Sequence, residues 1–166
     1  QNKYRNRTSQ EDQMMQAQEM MSIYKKYNIN PCNINLEITE SALMEDKTNL
    51  LDNMNRLMEY GVKFSLDDFG TGHSNLNYIV DMPVNIVKFD KAMLDAYFEN
   101  GRAKYVMDAA MHMIQGMKLE IVAEGIETKE HFENIAKLGI NFVQGYYFSK
   151  PVTARQFLLF INENNK

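Results

Sequence analysis

Residues 61–72 read Gly61-Val62-Lys63-Phe64-Ser65-Leu66-Asp67-Asp68-Phe69-Gly70-Thr71-Gly72, or GVKFSLDDFGTG. A glycine closes the segment before, an apolar run follows, two adjacent carboxylates end that run, and glycines turn the chain. Just upstream, Asp46–Tyr60 carries Leu50, Leu51, Met54, Leu57 and Met58 on one helical face. Helix, glycine, short strand and polar turn together make a β/α unit.

The unit repeats. Ile34–Thr39 (INLEIT), Val62–Leu66, Asn85–Phe89 (NIVKF), Glu120–Ala123 (EIVA) and Asn141–Phe148 read as five strands. Residues 11–27 read as a helix stopped by Asn28–Pro31. Further helices are predicted over Arg102–Met117, over Lys129–Leu138 with Gly139 as its stop, and over Thr153–Ile161 with Thr153 as N-cap. Strand starts fall roughly 20–35 residues apart, the rhythm of a parallel sheet with helical crossovers. Several strands are continuous apolar runs, which predicts a sheet covered on both faces.

The 166 residues suit one domain with a real core. A net charge of −4 argues against broad electrostatic binding to a nucleic acid polymer. Cys32 is the only cysteine, so an intrachain disulfide is excluded and a reducing, cytoplasmic setting is expected. No apolar run approaches the ~18–20 residues of a membrane span. Thirteen methionines and no tryptophan read as flexible core filling. The polar stretch 1–12 reads as a frayed or cut edge.

In parallel α/β folds, ligands meet the carboxyl ends of the strands. Those ends carry Glu37 and Glu40, then Asp67 and Asp68, then Lys88 and Asp90, then Glu124 and Glu127, and finally Gln144 before Gly145. Carboxylates gathered on one rim repel each other, and lysines or divalent cations relieve that repulsion. Their hard oxygens suit Mg²⁺ or Mn²⁺. Each acid also has a structural reading as a helix cap or a solvated loop group. Glu37, between Leu36 and Ile38, and Lys88, between Val87 and Phe89, are charges in apolar strands and could form a structural pair. His112 and His131 read as helix-surface residues. There is no GxSxG, no Walker-type loop and no CxxC.

Five ordered segments, LEITES (36–41), DDFGTGHSN (67–75), VKFD (87–90), AEGIET (123–128) and QGYYFSKP (144–151), resemble the EAL-type cyclic di-GMP phosphodiesterases. The resemblance covers roughly residues 14–163. It implies a TIM-like (β/α) barrel of the EAL type, incomplete, with about five βα units. It also implies hydrolysis of cyclic di-GMP to linear pGpG with two Mg²⁺ or Mn²⁺ ions. Glu37 matches a ligand of the first ion, Asp67 the carboxylate that bridges both, and Asp68 a ligand of the second. Glu124 matches a second-ion ligand and general base, and Lys88 the residue that orients the attacking water. Glu127 and Gln144 match supporting polar positions. Glu40 matches the anchor of the loop after Asp68, Phe69 to about Tyr78 with Gly70, Thr71 and Gly72, which resembles the loop that in the family couples dimerisation to the metal site. The implied partners are cyclic di-GMP, a second copy of the chain, and sensor or cyclase domains elsewhere in the protein.

The sequence departs from the family at its front. No EAL or ExLxR occurs, and the asparagine ligand of the next strand has only Asn6 as a weak counterpart. His73 stands where the family usually has tyrosine, and Phe89 replaces an aliphatic residue. A barrel of this type takes eight strands and about 250 residues. Residues 1–166 are therefore expected to be a single EAL-type domain lacking its first strands, a fragment rather than a decayed gene. The alternative is a catalytically inactive module that binds cyclic di-GMP or serves as a dimerisation and signalling scaffold.

Overall fold

The computed structural model describes residues 10–39, 47–70, 77–99 and 101–164. Helix α1 spans Gln10–Lys26 and ends where Asn28 turns left-handed, at φ 52°. Strand β1 is Asn35–Thr39, α2 Lys47–Glu59 and β2 Lys63–Phe69. A short α3, Asn77–Asp81, precedes β3, Ile86–Phe89. Helices α4, Lys91–Phe98, and α5, Arg102–Gly116, lead to β4, Glu120–Ala123. Helix α6, Lys129–Ile135, tightens into a 3₁₀ turn over Ala136–Leu138 that ends at Gly139. Strand β5 is Phe142–Val143, and α7 is Ala154–Asn164.

Among the described residues, the five strands form one parallel sheet in the order β1-β2-β3-β4-β5. Sequential order, with the usual right-handed crossovers, places the helices between successive strands on the same face. This is the winding of a barrel wall, not of a doubly wound sheet. β1 and β5 are not paired with each other, so the wall is open.

Burial follows this geometry. Ile38, Phe64, Leu66, Val87, Phe89, Ile121 and Ala123 point to the helix side and are buried, with Phe69 and Phe89 stacked at 5.6 Å. Met54 and Leu57 of α2, Leu94 of α4 and Met107 and Ile114 of α5 close over them. Alternation sends Asn35, Glu37, Ser65, Asp67 and Lys88 to the other face. The expectation of two covered faces is therefore corrected. The second face is polar, buried at its centre by Ser65 and Lys88, and exposed at Asn35, Lys63 and Glu120.

Three further differences have local causes. β2 runs on through both aspartates because a bulge between Leu66 and Phe69 keeps it paired with β3. Residues 145–148 form a turn, not strand, because Tyr147 N–H donates to Ile126 O and Phe148 N–H to Gly145 O. Helices α3 and α4 lie in stretches for which the sequence reading assigned no element. The cap of α7 is as expected. Thr153 Oγ1 accepts from Gln156 N–H at 3.4 Å, and Gln156 Oε1 accepts from Thr153 N–H at 3.0 Å, a reciprocal box.

Candidate active site

The parallel register brings the strand ends to one level. Glu37 pairs with Ser65, Thr39 with Asp67, and Lys88 with Val122. Glu124 follows directly, its N–H donating to Phe89 O at 2.9 Å. Three carboxylates from β1, β2 and the end of β4 therefore close on the lysine of β3.

Lys88 is the centre of this cluster. Its side chain is 8% exposed, and its ammonium lies 2.7 Å from Glu37 Oε1, 2.8 Å from Glu124 Oε1 and 3.2 Å from Asp67 Oδ1. The Glu37 contact is an aligned hydrogen bond. Burial alone would lower the lysine pKa, but the contacts with Glu124, Glu37 and Asp67 outweigh it and hold the ammonium above the usual lysine range. Glu124 Oε1 is fully buried and, despite its short approach to Lys88, accepts no aligned hydrogen bond. Below the cluster, Asn35 Nδ2 donates to the buried Ser65 Oγ at 3.1 Å.

Asp68 lies beside this group in the bulge. Its φ is 56°, an unusual left-handed value for a non-glycine residue, and its N–H donates to Asp67 Oδ1 at 3.0 Å. The bulge between Leu66 and Phe69 breaks strict alternation at the two aspartates. Gly70 then turns the chain at φ 92°.

Several predicted residues are placed apart from the cluster. Glu127 pairs with Lys91 at 3.6 Å. Gln144 is exposed and acts through its backbone, donating to Ala123 O and accepting from Ile126 N–H. Asp90 is the N-cap of α4, bonded to Ala92 N–H and Met93 N–H. Glu40, Thr71, Gly72, His73 and Asn6 lie outside the described residues. His112 is exposed as expected, whereas His131 is half-buried and stacks on Phe98 at 4.7 Å. The sequence reading missed Lys91 and the Asn35–Ser65 pair. Only the charge pattern of DKAMLD, with Lys91 and Asp95 four residues apart, hinted at Lys91.

Hard carboxylate oxygens, one of them buried and unaligned, fit Mg²⁺ or Mn²⁺ in chemistry. Among the described residues, no three acidic, histidine or cysteine side chains are arranged around one common ion position. The carboxylates converge on the Lys88 ammonium instead.

Comparison with known proteins agrees with the barrel-wall fold. The EAL domain family matches residues 5–151. The chain is 40% identical over 123 residues to the oxygen sensor protein DosP of Escherichia coli strain K12, covering 74% of this chain and 15% of DosP. It is 39% identical over 132 residues to the same organism's "probable cyclic di-GMP phosphodiesterase PdeB", covering 80% of this chain and 25% of PdeB. The EAL enzyme Bd1971, solved with cAMP and cyclic di-GMP bound, superposes with a TM-score of 0.81 at 35% identity, over 87% of this chain and 38% of that one. The chain thus spans a quarter or less of these curated relatives' length. With a matching family over nearly its whole length, a barrel-wall fold and the acidic strand ends in place, this chain belongs to the EAL domain family.

Proposed function

We propose that this chain is part of a phosphodiesterase that hydrolyses cyclic di-GMP to linear pGpG with two divalent ions. The observation that carries the reading is the convergence of Glu37, Asp67 and Glu124 on one buried ammonium, with Asp68 adjoining. In the metal-bound state Glu37 and Asp67 would turn from the Lys88 ammonium to hold one Mg²⁺ or Mn²⁺, and Asp67, Asp68 and Glu124 would regroup to hold the other. When bound, such ions supply positive charge to the phosphoryl oxygens and lower the pKa of water.

The chain's own residues do the rest. Glu124 accepts the proton of the attacking water. Its buried carboxylate oxygen is a suitable base because little solvent competes for it. Lys88 donates a hydrogen bond that aligns that water with the phosphorus. In-line attack then forms the new P–O bond as one phosphodiester bond of the ring breaks, and its leaving oxygen takes a proton from solvent. Glu127 and Gln144 support the rim, and Glu40 anchors the loop that carries Gly70, Thr71 and Gly72. That loop is the proposed route from dimerisation to the site. Residues 1–166 are read as one EAL-type domain within a longer cytoplasmic protein that carries sensor or cyclase domains.

Incubating the full-length protein with cyclic di-GMP and Mn²⁺, with separation of the nucleotides by chromatography, tests the reading. Accumulation of the linear dinucleotide is expected. A folded, metal-loaded protein that leaves the cyclic dinucleotide intact overturns it.

A further inference from the structure

The loop that carries Glu124 is gripped from two sides. On one side, Gln144 O accepts from Ile126 N–H at 3.1 Å and Ile126 O accepts from Tyr147 N–H at 2.9 Å. On the other lies Lys91, the first residue of α4, directly after the Asp90 cap. Gly125 has a φ of 72°, and a Cβ built there would fall 2.5 Å from Lys91 Cβ and 2.8 Å from its Cγ. The lysine's methylene stem therefore lies across the Gly125 backbone, one residue from Glu124. Its ammonium continues to Asp95 at 3.2 Å and Glu127 at 3.6 Å, pairs in which every partner is 44–48% exposed. Exposed pairs of this kind are worth little. The stem, not the charge, makes the close contact.

We propose that Lys91 is a positioning residue for Glu124: its stem, seated on Gly125, fixes the backbone that aims the carboxylate at the Lys88 cluster. The kinetic part of this inference rests on the phosphodiesterase reading, and the structural part does not. Long amphipathic side chains commonly act this way, packing a stem against backbone while the charged head stays in water.

Three variants of the full-length protein separate stem from charge. Lys91→Arg keeps both, Lys91→Met keeps the stem, and Lys91→Ala loses both. Amide hydrogen exchange over residues 124–127, without metal or nucleotide, reads the loop directly. Exchange there is expected to rise roughly tenfold in Lys91→Ala. Lys91→Met and Lys91→Arg are expected to stay near wild type. In turnover, kcat of Lys91→Ala is expected to fall about tenfold or more with KM little changed, the mark of a misaimed base.

Unchanged exchange in Lys91→Ala overturns the proposal, as does a Lys91→Met variant that behaves like Lys91→Ala. Normal kcat in a Lys91→Ala loop that has loosened overturns it as well. If wild-type protein makes no linear product while the exchange pattern appears, the positioning of Glu124 stands and the phosphodiesterase reading falls.

Discussion

One ammonium, that of Lys88, organises the polar face. It offsets three carboxylates that would otherwise repel each other, and burial makes its loss costly. Replacing it as Lys88→Met is expected to destabilise the metal-free protein by roughly 2–3 kcal/mol, below the ~3–5 of a fully enclosed pair because Glu37 is half exposed. Urea denaturation measures it. The pH dependence has a defined sign. The folded-state pKa of Lys88 is raised, so its contribution is complete below the unfolded value near 10.4 and fades as pH climbs through the folded one. Above neutral pH the stability gap between wild type and Lys88→Met should therefore close only once the solution is strongly alkaline, and a gap that widens there contradicts the account. Much of this was legible beforehand. Glu37 and Lys88 are charges between apolar neighbours in strands, where each needs a partner. Asp90 was ambiguous, because a strand-end carboxylate becomes a cap or a site group according to which amides face it. Lys91 was hidden, because an exposed lysine at a helix start looks like solvated surface until its stem is seen on Gly125.

Among the elements, the β4–α6 loop and the turn after β5 depend on each other. A Cβ on Gly145 would collide with the amide and carbonyl of Ile126, so the two backbones touch only because that residue is glycine. Gly145→Ala should push them apart, strip the Ile126–Gln144 and Tyr147–Ile126 hydrogen bonds, and cost about 2–3 kcal/mol. Thermal or urea unfolding gives the value, and a change under about 0.5 kcal/mol would contradict the contact. This packing also explains why the fifth strand was read too long. Tyr146, Tyr147 and Phe148 have strand-like composition, but Tyr147 and Phe148 lie in the turn and gather with Phe132 in a ring cluster at 5.1–5.8 Å. Periodicity reports side-chain pattern and carries no record of where two backbones meet. Likewise α4 was missed because its eight residues, KAMLDAYF, are too short for a clear repeat, while its Asp90 cap competed with a site reading.

At the scale of the molecule, strand spacing was enough to give a singly wound parallel sheet, because most of the apolar runs are followed by a helix long enough to cross back. The polar face was less legible. Runs such as SLDD mix core and site residues, and only the register shows that Ser65, Asp67 and Lys88 share a side with Glu37. Apolar surface also remains open at the β5 end, where Phe157, Leu158, Leu159 and Phe160 of α7 are all exposed. The sheet and its register gather the carboxylate cluster at one rim, and Glu124 is the group through which the proposed reaction runs. The most direct measurement compares wild type with Glu124→Gln in the full-length, Mn²⁺-loaded protein, following both cyclic di-GMP binding and release of the linear dinucleotide. The account predicts that the variant still binds the cyclic dinucleotide while its turnover falls at least about a hundredfold. Undiminished turnover in Glu124→Gln would contradict it.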